Sequence, residues 1–273
     1  MKEKVKQKKI VLKGTAKPSY NLMDALEHIY NVEYISFLLS IIESRKKAYK
    51  AVREFLQQNE FILAKFGHRE EISFKKEIKA GEEVKYILTL TSSEDTLEVN
   101  CELRVKRNKK FALASTILLE IDPALAHTQF IPSTLPLHNV RKETRKITSQ
   151  ANCIGGVLSC KCIKGELEEL RGRFLSLLLT GDEDYYSMVE KHHTAMIVTN
   201  VKVKYFKPLK PNESFVVSTK IPEKLLGKTT LRIAFFQKIV NKQNEICVES
   251  ETEVIMVDSS EKKPKRTTFP LEL

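Results

Sequence analysis

Within eleven residues the chain sets out carboxylates, an imidazole, an amide and two phenols: Asp24-Ala-Leu-Glu27-His28-Ile-Tyr30-Asn31-Val-Glu-Tyr34. A carboxylate and an imidazole at this spacing can activate a water or attack a carbonyl directly, and an amide beside them can hold the loop that presents them. The residues that follow, Tyr34, Ile35, Phe37, Leu38, Leu39, Ile41 and Ile42, are apolar almost all round, as in a helix enclosed by other structure. The start of such a helix carries unpaired backbone N–H groups and a partial positive charge. Those groups can polarise a carbonyl that docks against the helix start. In this arrangement Asp24 is the candidate general base or nucleophile, and His28 orients water or the carbonyl. Asn31 caps the helix or fixes the loop, and Tyr30 and Tyr34 are candidate substrate-binding residues. Further along the helix Glu33 and Glu43 are the candidate catalytic carboxylates, with Glu43 the second choice after Asp24.

The elements that must position these groups can be read from pattern. The helix is predicted over 31–58, its second part amphipathic through Ala48, Tyr49, Val52, Phe55 and Leu56. Strands are predicted near 70–78, 83–91, 96–106 and 110–121, with turn residues at Ala80-Gly81-Glu82 and Asn108-Lys109-Lys110. The order then repeats. A helix is predicted over 165–179, a second over 182–191, and strands near 195–206, 214–221, 229–240 and 245–257. Ile72-Ser-Phe74-Lys-Lys-Glu-Ile78-Lys-Ala80-Gly81-Glu82 aligns with Val203-Lys-Tyr205-Phe-Lys-Pro-Leu209-Lys-Pro211-Asn212-Glu213. Phe111 to Asp122 aligns with Cys247 to Asp258, after a register shift of five residues across the intervening hairpin.

The first-half motif resembles the signature of hotdog-fold thioesterases, Asp-x-x-Gly-His-Val-Asn-Asn-x-x-Tyr, with Glu27 at the glycine and Tyr30 at the first asparagine. It is most similar to the acyl-ACP thioesterase and 4-hydroxybenzoyl-CoA thioesterase branches. In the former, Asp-x-Asn-x-His is the pattern, and Leu26 stands where its asparagine belongs. The segment Val201-Lys-Val-Lys-Tyr205-Phe-Lys-Pro208-Leu resembles the strand end of the same family. The resemblance implies an α+β fold of two tandem hotdog domains, each an antiparallel sheet wrapped around a central helix, forming an intrachain pseudodimer. It places the N-terminal hotdog in 1–122, a linker in 123–149, the C-terminal hotdog in 150–258 and a basic tail in 259–273. It also implies hydrolysis of acyl-CoA or acyl-ACP thioesters, with no cofactor and no metal. The second half lacks the signature. Glu166, Glu168 and Glu169 are its available carboxylates, and acidic residues in a helix's first turn ordinarily complement its dipole.

Composition bounds the alternatives. A chain of 273 residues, 42% hydrophobic with 13 Phe, can bury the cores of two domains. A net charge of +11 points to acidic partners, among them CoA phosphates, acyl carrier protein, anionic lipid and nucleic acid. No run reaches the ~18 apolar residues of a membrane span, no apolar signal core follows Met1, and no helix-turn-helix pattern precedes the first strand. A cytoplasmic protein with no membrane span and no nucleic-acid partner is expected, with pairing into a homodimer of pseudodimers compatible with the fold. The five cysteines are odd in number and irregularly spaced, and Cys160-x-Cys162 has no partner pair to complete a zinc site. Three of the nine prolines, Pro123, Pro132 and Pro136, mark the linker, which also holds His127, His138 and the basic run Arg141 to Lys146. The reading from another class is a non-catalytic acyl-thioester binder, a ligand sensor or scaffold in lipid or polyketide metabolism. Leu26 and Glu27 favour it, whereas Asp24, His28, Asn31 and Tyr34 favour the enzyme.

Overall fold

In the computed structural model the described residues are 8–19, 33–58, 68–79, 81–128, 131, 136–148, 153–154, 156–181, 184, 189–191, 193–225, 229–258, 260, 265–267 and 269–270. They divide into two compact units. The first holds the described residues up to Thr128 together with Lys204–Lys207, and the second holds the rest.

In unit 1, β1 (Lys8–Ala16), β2 (His68–Phe74), β3 (Val84–Ser92), β4 (Leu97–Arg107) and β5 (Lys110–Ile121) form antiparallel pairs in the order β1-β3-β4-β5-β2. Alternation sets the faces: Val84, Tyr86, Leu88 and Leu90 of β3 are buried between partly exposed neighbours. Two helices lie against that inner face, α1 (Tyr34–Glu43) and α2 (Lys46–Gln58). Phe37, Leu38, Ile41 and Ile42 of α1 and Ala48 and Phe55 of α2 join Leu88, Val99, Cys101, Leu103 and Ile117 in one core.

The helix read as continuous over 31–58 is broken at Ser44 and Arg45. Ser40 and Ser44 donate back to the carbonyls of Phe37 and Ile41, at 2.8 and 2.7 Å, bonds of the kind that bend helices. Arg45 then turns onto the sheet, where its Nε donates to the Tyr86 hydroxyl and its guanidinium carbon lies 5.5 Å from the ring centroid. Gly14, opposite Tyr86 on β1, makes room for this corner. A Cβ at Gly14 would come within 2.5 Å of Arg45 Nη2 and 2.6 Å of the Tyr86 hydroxyl oxygen.

Unit 2 repeats the plan. Its strands are β6 (Leu137–Lys146), β7 (Thr194–Tyr205, the last two residues lying with unit 1), β8 (Ser214–Pro222), β9 (Arg232–Asn241) and β10 (Ile246–Asp258). Their order is β6-β8-β9-β10-β7, strand for strand that of unit 1. The central helix is α3 (Cys160–Thr180), capped by Ser159, whose hydroxyl accepts from the Cys162 N–H at 3.2 Å, and ended by Gly181 in the left-handed conformation at φ 72°. Leu88 pairs with Cys101 in unit 1, and their repeat equivalents Thr219 and Gln237 pair in unit 2. The five-residue register shift therefore lies between β8 and β9. The connection there carries a short 3-10 turn, Glu223–Leu225, and the strand Thr229–Thr230.

Three expectations are corrected. The segment read as linker is not featureless: Pro123–His127 is a 3-10 turn and Leu137–Lys146 is β6, the counterpart of β1. Its inward residues are Arg141, Glu143 and Arg145, so it lacks the apolar alternation that marks a strand. The segment read only as a basic tail contributes Lys265–Thr267, which pairs with Met256–Asp258, and Phe269–Pro270, which pairs with Thr229–Thr230. The helix of the second half begins at Cys160, five residues earlier than expected, and its first turn carries no acid. The helix predicted over 182–191 lies largely outside the described residues.

Inserting a methyl at Gly14 should displace the Arg45–Tyr86 corner. Gly14→Ala is expected to lower unfolding free energy by about 1–3 kcal/mol in urea titration, and a neutral result would show that the corner yields without cost.

Candidate functional site

The motif residues Asp24, Leu26, Glu27, His28, Tyr30 and Asn31 lie outside the described residues. What is described is the structure they lead into. Helix α1 begins at Tyr34, with Glu33 in the cap position at φ −91°, ψ −7° and without a side-chain capping hydrogen bond. The first-turn N–H groups of α1 are thus not taken up by a cap from Glu33. Glu33 is only 5% exposed, a buried carboxylate at the positive end of the helix. Glu43 is exposed at the opposite, negative end, which places it away from the helix start and weakens its candidacy. Tyr34 is 3% exposed and packs edge-on against Phe74 of β2, with ring centroids 4.8 Å apart. It is a wall of the core rather than an open surface.

At the other end of β2 the strand buries a polar pair that pattern reading missed. His68 and Glu70 are each 2% exposed, with His68 Nε2 3.9 Å from a Glu70 carboxylate oxygen. The His68 ring stacks on Tyr205 at 4.2 Å between centroids. Beside them the buried Lys204 donates from Nζ to the carbonyl and hydroxyl of Thr128. The available signal was alternation, since His68, Glu70 and Ile72 share one face of β2. In the repeat the same positions hold Thr199 and Val201, so the fold does not itself require titratable groups there. Six residues separate His68 from Phe74, roughly 20 Å along a strand, so this pair is remote from the start of α1.

Unit 2 holds its helix differently. Where β1 turns Leu12, Gly14 and Ala16 inward, β6 turns Arg141, Glu143 and Arg145. Glu143 takes Arg141 and Arg145 at 2.7 Å each, and Arg145 reaches Glu169 at 3.2 Å and Glu166 at 3.9 Å. Arg173 completes the network on Glu169 at 2.9 Å. Burial pushes the Glu143 carboxyl up, but the Arg141 hydrogen bond and the charges of Arg145, Arg141 and Arg173 outweigh it and hold it below 4.5. For Glu166 burial prevails over Arg145, and its carboxyl sits above 4.5. Deeper in, the fully buried Gln237 accepts from Arg171 at 3.1 Å and donates to the Leu167 carbonyl and the Thr219 hydroxyl at 2.7 and 2.9 Å. The carboxylates Glu166, Glu168 and Glu169 are thereby engaged with arginines, Glu168 through Arg171 at 3.9 Å. They are structural partners of β6 and α3 rather than first-turn charges.

Thiol chemistry is restrained. Cys101 is buried, and its thiol is pushed up to about 12 by burial and then by the Glu102 charge. At that value it is no nucleophile at neutral pH.

Two units with one strand order, each presenting its inner face to a central helix, match known structures over nearly the whole chain. A proposed oleoyl thioesterase from Lactobacillus plantarum superposes with a TM-score of 0.58, covering 90% of this chain and 96% of its own at 11% identity. The chain is a double hotdog. An acyl-ACP thioesterase from Bacteroides thetaiotaomicron gives 0.58 at 9% identity, with 90% and 97% covered. The 12:0-ACP thioesterase from Umbellularia californica gives 0.53 at 9% identity, with 93% and 94% covered. No family model matches the sequence, and no curated protein matches it in sequence. The expectation of two tandem hotdogs is borne out by these full-length matches. Among the described residues of this double hotdog no helix is long and apolar enough to cross a membrane.

The Glu143 network supplies a pH test. A carboxyl held below its unfolded value stabilises the fold above that value, and the contribution is lost as pH falls through the folded value. Wild type should exceed Glu143→Gln in stability at about pH 7 and converge with it as pH drops below about 4.5. A constant gap in denaturant melts across that range would remove Glu143 from the network's ionic role.

Proposed function

We propose that the chain hydrolyses acyl thioesters of CoA or of acyl carrier protein to the free acid and thiol. The observation that carries this is the motif Asp24, His28, Asn31 running into α1 of a double hotdog whose full-length structural neighbours bear thioesterase names. Asp24 takes the proton of a water, whose oxygen attacks the thioester carbonyl carbon. The N–H groups at the start of α1 stabilise the oxygen that gains charge. The C–S bond then breaks, and the thiolate recovers a proton. His28 orients the carbonyl or the water, Asn31 holds the loop, and Tyr30 is the substrate-binding candidate, Tyr34 being taken up by the core against Phe74. No cofactor enters these steps.

The departures at Leu26 and Glu27 favour a second reading, a double hotdog that binds acyl thioesters without cleaving them. A glycine before the histidine permits close backbone approach, and Glu27 does not. Thiol release from a panel of acyl-CoAs and acyl-ACPs separates the two. Hydrolysis by wild type that falls by about 10²–10⁴ in Asp24→Ala, with folding retained, is the expected result. Glu33→Gln, the buried carboxylate at the helix start, should leave more activity than Asp24→Ala. Tight acyl-thioester binding with no turnover establishes the binder instead.

A further inference from the structure

A buried hydroxyl without a hydrogen bond destabilises a fold, because it loses its contacts with water and gains none inside. Five serines and threonines among the described residues are buried: Ser115, Ser176, Thr219, Ser250 and Thr252. Ser176 donates to the Asp184 carbonyl at 2.8 Å, Thr219 accepts from Gln237 at 2.9 Å, and the Ser250 and Thr252 hydroxyls lie 3.4 Å apart. Ser115 is 0% exposed, and its hydroxyl has no hydrogen-bond partner among the described residues.

Ser115 stands on β5 opposite both Phe74 of β2 and Leu103 of β4. Directly paired residues share a face of the sheet, with Cβ atoms about 5 Å apart. On that face Phe74 packs against Tyr34, the first residue of α1, and Leu103 belongs to the core. The Ser115 hydroxyl is therefore turned inward, at the end of the core where α1 begins. A bulge at Ala114, between the pairs Leu103–Ser115 and Arg104–Leu113, fixes it there. The Ala114 carbonyl accepts from the amides of Lys75 and Lys76 at 2.8 and 3.0 Å, which ties the end of β2 to the same point. Bulges re-aim side chains and are common beside active sites. Unit 2 has the bulge without the hydroxyl. Ile239, two residues on from Gln237 as Leu103 is from Cys101, pairs with Val248 at the same break in register. Val248 is fully buried, so the fold accepts a hydrocarbon side chain at this place.

We propose that Ser115 Oγ is a further hydrogen-bond donor to the thioester carbonyl oxygen, working with the N–H groups at the start of α1. This rests on the hydrolase reading for its reaction, and it adds a residue that the Asp24–Asn31 motif does not contain. As water adds to the carbonyl carbon the oxygen gains charge and the hydrogen bond strengthens, while the hydroxyl keeps its proton. A donor fixed by a strand and its bulge is already oriented before the reaction, which is what makes such a bond effective in a dry site. The substrate completes the hydrogen bond that the described residues of the chain leave unmade.

The test compares the full wild-type chain with Ser115→Ala and with Ser115→Cys, whose thiol fills the site but donates weakly. Substrates are the decanoyl thioesters of CoA and of acyl carrier protein. Binding probes are 2-oxoundecyl-CoA, a ketone that keeps a carbonyl, and undecyl-CoA, a thioether that has none. Ser115→Ala should melt at the wild-type temperature or above it, since it loses a hydroxyl with no internal partner. In both variants kcat should fall by about 10²-fold, with KM changed far less. The ketone should bind about 5-fold to 10-fold more weakly, and the thioether as it does to wild type. Variants with wild-type kcat and ketone affinity overturn the proposal. So does an equal loss for ketone and thioether, which marks a packing defect, and so does a lowered melting temperature in Ser115→Ala, which marks an internal partner. Wild type that turns over no thioester yet distinguishes ketone from thioether through Ser115 supports the donor and overturns the hydrolase reading alone. Wild type that binds neither probe and hydrolyses neither thioester overturns both.

Discussion

The burial of one helix against the inner face of an antiparallel sheet is the constraint from which the rest of each unit follows. A helix apolar nearly all round is unstable in water and must be enclosed. Tyr34, Phe37, Leu38, Ile41 and Ile42 leave α1 no other place than against β3, β4 and β5. Once it is there, every second residue of the strands must face it, and the register of the sheet is set by that demand. The break at Ser44–Arg45 follows from the same packing, since Tyr86 buries its ring in the core and its hydroxyl needs a donor, which Arg45 provides.

The two units meet this constraint with opposite chemistry on one topology. Unit 1 covers its helix with aliphatic and aromatic side chains, Leu88 and Cys101 among them. Unit 2 places Thr219 and Gln237 at those positions and binds α3 through Arg171, while Arg145 of β6 reaches the acids of α3 and Glu143 reaches its Arg173. A buried polar network stabilises only when each member is satisfied, and Gln237 with three hydrogen bonds meets that condition. Such a network tolerates exchange less well than an apolar core, because removing one partner strands the others. Inward charges on β6, which ends its sheet's strand order, also make that strand a poor template for pairing with another chain.

The chemistry divides along the same line. The motif of Asp24, His28 and Asn31 leads into the helix with the apolar surround, where water is scarce and dipoles act strongly. The second half has no equivalent in sequence, and its candidate carboxylates Glu166, Glu168 and Glu169 are held by arginines. His68 and Glu70, buried on β2 where the repeat has Thr199 and Val201, are a titratable pair that the packing of unit 1 alone does not call for.

Much of this was legible from residues alone. The two-fold repetition, the strand succession and the enclosed character of 34–42 are period signals, and period survives without tertiary information. The motif was legible because its residues are contiguous. What the sequence could not settle was any element whose faces are defined by partners distant in the chain. Strand β6 was hidden because its inward residues are charged, and their partners Glu166, Glu169 and Arg173 lie some twenty to thirty residues on. The early start of α3 was hidden because Cys160 to Lys164 carry no clear stripe until Ser159 caps them. The strands of the tail were hidden because three-residue pairings gain their order from the sheet they join rather than from their own composition. By itself the sequence determined the repeat, the enclosed helix and the candidate chemistry. Tertiary structure decided which charges are buried, and against what, because burial is a property of both partners of a contact.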